Sequence, residues 1–370
     1  MPIRFGSINR YVLSNLGHRP VRALLSILAI AVEVTMILTL VGVSYGTLDA
    51  TARRARGAGA DIMIRPPGSS AIGLSSAPMT DKLVPMLAKE PHVTVATGTV
   101  VQPLAGLDTI TGLDLAQFSK MSGGFHFLHG GPFQKDDDML VDEYYAKEKH
   151  LHVGDTIHLS DHDWHLAGIF ESGKLTRIAV RLPVLQELTG NPGRLSQIYI
   201  KLDDPSKAKE VVAELHQKMS TYPIYTMEEF TSLLTVNSVG LLHNFIGVVI
   251  GIAVVVGFIV VYMAMYTAVL ERTREIGILK AMGASANLIL NLLLKEALAL
   301  AFSGVIAGIL LTYGTQWAMH HFMPSSLVEE TVYEWWPIAG LIAIFGAILG
   351  AIVPAMRAAR QDVTDALSYE

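Results

Sequence analysis

The amino-acid sequence predicts a membrane α-helical protein with four transmembrane helices and a large inserted α+β extracytoplasmic domain. Three observations carry that prediction. The 370-residue chain has a mean hydropathy of +0.41 and only 16% charged residues, where a soluble globular chain carries about a quarter. Four apolar stretches each reach the roughly 20 residues that a helix needs to cross a hydrocarbon core of about 30 Å. Between the first and second of these, residues 49–238 change to short alternating apolar runs punctuated by turn residues, the texture of a domain folded in water.

The stretches are residues 23–45, 245–270, 297–319 and 335–356. The first is longer than a signal-peptide core and no small-residue cleavage site follows it, so a retained anchor is expected. Each stretch carries a pair of glycines four apart, the first pair reaching one residue past its stretch: Gly42 and Gly46, Gly247 and Gly251, Gly304 and Gly308, Gly346 and Gly350. Such pairs let helix backbones approach closely, although glycine is common in membrane helices in any case. Short loops set the orientation, because Lys and Arg stay in the cytoplasm. Arg4, Arg10, Arg19 and Arg22 precede the first span, Arg272, Arg274 and Lys280 lie between the second and third, and Arg357 and Arg360 follow the fourth. The link between the third and fourth has Glu329, Glu330 and Glu334 but no basic residue. Both termini are therefore expected in the cytoplasm, with Trp317, Trp335 and Trp336 at the outer interface. Arg53, Arg54 and Arg56 oppose this orientation, but long translocated segments largely escape the charge rule.

Within residues 49–238, strands are expected at 61–64, 93–101, 156–159, 164–169 and 197–202, with loops at 66–70 and 121–132. A helix is expected after Asp204 as its cap, with Pro205 in the first turn and Ala208, Val211, Val212, Leu215 and Met219 along one face. The chain divides into residues 1–48 (an amphipathic helix and the first span), the domain 49–238, and residues 239–370 with the remaining spans.

Composition excludes several functions. The net charge of -5, from 28 basic and 33 acidic residues, speaks against nucleic acid as a partner. With no cysteine, disulfides, thiolate metal sites and cysteine nucleophiles are excluded. Residues 168–175, GIFESGKL, come close to a phosphate-binding loop, but Leu175 stands where a hydroxyl should meet Mg²⁺. His150, His152, His158, His162 and His165 cluster beside Asp161 and Asp163. Nothing fixes a third and fourth ligand there, so a polar strand surface with a hairpin turn at 161–163 is the plainer reading and no metal site is assigned. No catalytic constellation lies in a span, so no enzymatic activity is expected of this chain.

Two features ask for a role. Glu33 sits in the middle of the first span, where an ionised carboxylate costs on the order of 3 kcal/mol. A cargo or dimer contact, a proton-linked group, a haem ligand, or a hydrogen bond near Thr35 or Thr39 would each account for it. The link at residues 271–285 reads ERTREIGILKAMGAS. Charges come first, Ile276, Leu279 and Met282 follow at helical spacing, and Gly283 can end the helix. A short amphipathic helix of this kind can dock in a partner's groove; a solvated loop is the bland alternative.

This link resembles the cytoplasmic coupling segment of the FtsX, MacB and LolC/LolE permease superfamily. The tail PAMRAARQDVTDALSYE, the opening NLGHRPVRALLSILAIAVEV, and LHVGDTIHLSDHDWHLAGIFESG and RLSQIYIKLDD within the inserted domain are similar to the same superfamily. The resemblance implies an ABC transporter permease that works by mechanotransmission. It would form a homodimer, or pair with a paralogue, in the bacterial inner membrane. ATP and Mg²⁺ would sit on a separate MacB- or LolD-type ATPase, since the sequence opens at the permease with no fused ATPase. Glu271, Arg272, Arg274, Glu275 and Lys280 would then make polar contacts with the ATPase. Ile276, Leu279 and Met282 would fill its groove, and Gly277 and Gly283 would allow close approach. Implied cargoes are lipoproteins, lipids, peptides, antibiotics or other hydrophobic molecules, with a possible periplasmic adaptor. A scaffold of the FtsX type that regulates a cell-wall hydrolase, and a haem exporter using Glu33, are the alternatives.

Overall fold

Long apolar sequences that cannot leave backbone groups unpaired in lipid must form helices, and four such helices carry the membrane part. The computed structural model describes residues 20–69, 79–104, 108–234, 240–323 and 328–361. The amphipathic helix expected before residue 20, the residues Arg4, Arg10 and Arg19, Ser70 of an expected loop, and the closing residues 362–370 lie outside these.

In chain order the elements are α1 (Pro20–Gly57), β1 (Ile62–Ile64), β2 (Met79–Thr80), α2 (Leu83–Leu87), β3 (Val93–Pro103), β4 (Thr109–Leu113), α3 (Leu115–Ser122), β5 (Phe127–Gly130), β6 (Asp138–Asp142) and α4 (Glu143–Lys149). They continue with β7 (Thr156–Leu159), β8 (His162–Phe170), β9 (Ile178–Arg181), α5 (Leu182–Leu188), β10 (Arg194–Leu195), β11 (Gln197–Leu202), α6 (Ala208–Lys218), β12 (Ile224–Thr226), α7 (Met227–Leu233), α8 (Gly240–Glu271), α9 (Thr273–Ala281), α10 (Ala286–Phe322) and α11 (Trp335–Arg360). The chain separates into a membrane unit, holding residues up to 43, 241–318 and from 329, and a second unit of residues 44–240 and 319–328.

In the membrane unit, the spans interlock through small residues. Along α11, Ala339, Ala343, Ala347, Ala351 and Ala355 are all buried, a four-residue repeat that lays one narrow face against its neighbours. At Gly350 an added Cβ would come within 2.7 Å of the Phe258 carbonyl and 3.0 Å of the Tyr262 nitrogen on α8. Gly304 and Gly308 of α10 do the same against α1, where a Cβ would meet Ile30 Cβ at 2.6 Å and Val34 Cβ at 2.7 Å. Thr35 Oγ1 donates to the Gly308 carbonyl at 3.0 Å across the same seam. The pairs at 247/251 and at 42/46 behave differently. Among the described residues nothing lies within 4 Å of a Cβ at Gly247 or Gly251. Gly42 makes room for a loop instead of a helix, since the Glu330 amide donates to its carbonyl at 3.0 Å. Spacing alone marks the capacity for close packing and not its use. Large apolar side chains such as Leu24, Leu28, Val248, Ile252, Phe302 and Leu341 point outward, as expected of surfaces whose solvent is lipid.

The second unit is built on one mixed sheet in the order β12-β1-β11-β3-β4-β9-β6-β8-β5, with β7 added on β8 and a separate β2/β10 pair. The β4/β9 and β6/β8 pairs are parallel and the others antiparallel. Because strand side chains alternate, Ile62 and Ile64, Met139 and Val141, and Ile178 and Val180 enter one core with Leu87, Leu185, Val211 and Leu215 of the helices. Leu140 and Ala179 enter a second core on the other face with Phe118 and Phe170. Met63 and Tyr199 meet Ala52, Ala55, Met227 and Phe230 in a third cluster. A sheet covered on both faces explains the nearly continuous apolar runs at 62–64 and 139–141. The five expected strands are present with modest changes in their ends, and Ser160 and Asp161 turn between β7 and β8 with positive φ. The loop expected at 121–132 is corrected: it contains β5, paired to β8 at Phe127↔Phe170 and Gly130↔Gly168. Its glycines hide the strand signal, and the pairing partner supplies the order.

Candidate functional site

The segment after α8 holds the largest concentration of charge near the membrane unit, and its geometry has two faces. Only Arg272 separates the end of α8 from the start of α9, and the Arg272 carbonyl accepts the Ile276 amide at 2.9 Å. At the other end Gly283 adopts φ +93°, a left-handed conformation natural to glycine. Its amide donates to the Lys280 carbonyl at 2.9 Å, while Ala284 donates to Leu279 at 3.0 Å. These bonds close the helix.

The inward face is tied to the spans. Arg272 Nη1 lies 3.1 Å from Glu296 Oε2 on α10, with both side chains below a tenth exposed. Thr273 Oγ1 donates to the Leu270 carbonyl at 2.9 Å. Ile276 enters the core with Val269, Ile289 and Leu293, and Gly277 is buried beside it. Lys280 Nζ donates to the carbonyls of Ala359 at 2.9 Å and Gln361 at 2.5 Å. A cation on the last carbonyls of α11 is the favoured complement to the negative end of a helix.

The outward face is Glu271, Arg274, Glu275, Ile278 and Met282, of which Met282 is 72% exposed and Ile278 46%. Their spacing is that of a single helical stripe. Leu279 is half-buried and Gly283 exposed. The ten expected site residues differ in exposure and bonding. Arg272, Ile276 and Gly277 are committed to the chain's own core, Lys280 is bonded to α11, and Ile278, left out of the sequence reading, is among the most exposed apolar side chains here. Sequence missed the Glu296 partner too, although a carboxylate inside the apolar run of α10 is the signal that points to one.

Glu33 is 6% exposed and its carboxylate lies over Gly257 of α8, in the space that a Cβ there would occupy. Its Oε1 has no hydrogen-bond partner among the described residues. The side chain thus points into its own helix bundle. Thr35 and Thr39 bond elsewhere, to the Ala31 and Gly308 carbonyls and to Thr315.

In the second unit three of the five clustered histidines each pair with one acid: His158 with Asp163 at 2.7 Å, His162 with Asp137 at 2.9 Å, His165 with Asp138 at 3.1 Å. Among the described residues no group of three or more such side chains is placed to hold a metal. Lys174 of the GIFESGKL segment donates to the carbonyls of Ser122 at 3.0 Å and Gly124 at 2.7 Å, an internal role. Two buried carboxyls of this unit are perturbed. Burial pushes Asp142 up to about 6, against the Tyr145 amide that it caps and the nearby Arg177 and Arg54 guanidiniums. Burial also acts on Asp138, but the amides of Lys135 and Gln134, with His165, outweigh it and hold its carboxyl below the usual range.

Residues 23–218 match the family described as the MacB-like periplasmic core domain, and residues 247–363 match the FtsX-like permease C-terminal family. The chain is 28% identical over 411 residues to the macrolide export ATP-binding/permease protein MacB of Burkholderia cenocepacia, covering 99% of this chain and 58% of that protein. It is 29% identical over 172 residues to the ABC transporter permease YknZ of Bacillus subtilis, covering 44% of this chain and 41% of that one. The chain thus spans about half the length of these curated relatives. Among solved structures, the periplasmic region of MacB from Actinobacillus actinomycetemcomitans aligns with a TM-score of 0.38 and 14% identity, covering 48% of this chain and 94% of that one.

Proposed function

Since this chain belongs to the FtsX/MacB type of ABC transporter permeases, we propose that it forms the membrane part of an exporter driven by a MacB- or LolD-type ATPase. The observation that carries this reading is the two-faced helix α9. An exposed stripe of two carboxylates, one guanidinium and two apolar side chains is suited to a groove on a partner, while the opposite face is fastened to three spans. The fastening runs through the near-continuous α8/α9 junction, the Arg272–Glu296 pair to α10, and Lys280 to α11. A push on α9 by ATPase closure would then move these spans together.

On this reading Glu271, Arg274 and Glu275 make polar contacts with the ATPase, and Ile278 and Met282 enter its groove. Arg272, Ile276 and Lys280 act from within the permease. ATP and Mg²⁺ are bound by the ATPase, a second permease copy completes the dimer, and both termini lie in the cytoplasm with α9. The extracytoplasmic domain takes up the motion and extrudes or extracts a hydrophobic cargo. The burial of Glu33 against Gly257 favours a role inside the bundle over direct ligation of haem between two copies.

The test is co-purification of the full chain with a candidate MacB-like ATPase, with hydrolysis measured for wild type and for Glu275→Arg combined with Ile278→Asp. Loss of association and of stimulated hydrolysis in a variant that remains folded is the expected result. Wild-type behaviour of the variant, or the absence of any associated ATPase, would remove the mechanism.

A further inference from the structure

Outside the coupling segment, the second unit contains a cavity of about 250 Å³ whose wall includes Arg53, Arg54, Arg177, His320, Ser172 and Asp142. The three arginines are not equivalent. Arg53 Nη1 is bonded to Asp49, and Arg177 Nη1 lies 3.2 Å from Asp108 Oδ1. Arg54 differs: its one hydrogen bond from the guanidinium is Nη2 to Thr51 Oγ1 at 3.1 Å, and no carboxylate of the described residues reaches ion-pair distance. A guanidinium carries five N–H donors in a planar fork that fits oxyanions. Arg54 lines the cavity, and among the described residues the rest of its fork has no hydrogen-bond acceptor. Asp142, the carboxylate in the wall, is 3% exposed and its Oδ1 is engaged by the Tyr145 amide at 2.7 Å.

The frame around Arg54 is rigid. Its carbonyl accepts the Leu175 amide at 3.0 Å, and Gly57 lies so close to the Gly173 carbonyl that a Cβ there would overlap it. The segment 168–175, which falls short of a nucleotide loop, is thus seated on the end of α1 and supplies Ser172 to the wall. The cavity's place along the chain supplies the second clue. Arg53 and Arg54 follow Tyr45, the last residue of the apolar stretch of α1, by about two and a half turns, about 13 Å of helix. His320 follows Trp317, whose indole belongs at the level of lipid headgroups. Both framing segments continue, along the chain, from helices long and apolar enough to cross a membrane.

We propose that this cavity binds a phosphate or phosphodiester anion at the membrane surface. Arg54 is its principal ligand, Arg53, Arg177 and His320 complete the positive wall, and Ser172 offers a hydroxyl. The anion is the headgroup of a phospholipid or free phosphate, two sources with the same recognition chemistry.

The test titrates the purified full-length chain in detergent, by calorimetry, with a short-chain phosphatidylglycerol and separately with inorganic phosphate. Saturable binding of the lipid by wild type is expected, weakened about tenfold or more in Arg54→Gln, the scale of one charge-assisted hydrogen bond. Ser172→Asp keeps every arginine, adds a negative charge to the wall, and should weaken binding comparably, so it carries the test if Arg54→Gln fails to fold. Arg194→Gln, on the exposed surface of the same unit, should bind as wild type. Phosphate that binds and displaces the lipid identifies free phosphate as a ligand; lipid binding that phosphate leaves untouched identifies the headgroup. Absence of saturable binding of either probe to wild type, or wild-type affinity in both Arg54→Gln and Ser172→Asp, would overturn the proposal.

Discussion

The strongest mechanical claim concerns the Arg272–Glu296 pair, and it can be tested by removing one partner and then both. At 3.1 Å and an effective dielectric of about 20, the gross attraction is about 5 kcal/mol. Desolvation of two buried charges offsets most of this, so the net value of the intact pair is small. Breaking it is another matter, because the survivor stays buried and uncompensated, at a cost of about 3–5 kcal/mol. Arg272→Met is therefore expected to lower the unfolding midpoint of the purified chain sharply and to uncouple α9, while Arg272→Met with Glu296→Leu recovers most of the lost stability. Thermal unfolding in detergent supplies the four corners of a double-mutant cycle, and ATPase stimulation by each variant gives the coupling readout. Additive losses, with the double variant as unstable as the sum of the two singles, would refute the claim that these side chains form one latch.

Four further outcomes follow from the same physical reasoning. Gly350→Ala should destabilise the membrane unit by about 1–3 kcal/mol, because its Cβ meets the α8 backbone at 2.7 Å, whereas Gly251→Ala, with nothing within 4 Å, should unfold as wild type does in the same thermal assay. Burial raises the Asp142 carboxyl to about 6, above an unfolded value near ~4, so its contribution to stability is greatest below about pH 4 and is lost as pH rises through 6. Asp142→Asn keeps a good helix cap and should stabilise the chain by up to about 3 kcal/mol at pH 8 with little change at pH 4, as read by unfolding across that range. Asp138 has the opposite sign: its depressed carboxyl contributes above the unfolded value and ceases to as pH falls through its folded value. Asp138→Asn opposes an amide to the Gln134 and Lys135 donors at 2.6 and 2.7 Å, and should cost about 1–3 kcal/mol at pH 7 with a smaller loss in acid, measured the same way.

Particular elements show where sequence reading succeeds and where it ends. The spans were legible because lipid imposes a composition on every residue of a crossing helix. The strands at 62–64 and 197–202 were legible because a half- or fully buried sheet imposes its period. Glycine pairs were ambiguous: those at 304/308 and 346/350 meet a neighbouring helix, those at 247/251 meet nothing, and the residues themselves are identical. The segment at 271–285 divides in the same way. Its existence, its closing glycine and its resemblance to a family lay in fifteen consecutive residues. The choice of Ile278 over Ile276 as the outward apolar residue needed the positions of α8, α10 and α11.

By itself the sequence determined which solvent each segment meets, since lipid, water and protein core each select residue types at a local period. Only the tertiary structure decided who meets whom. It set Glu296 under Arg272, the end of α11 under Lys280, Gly257 under Glu33, and Arg54 and Ser172 on the wall of one cavity. Each of these joins residues from different elements, and their energies depend on distances of a few ångströms that no local pattern records.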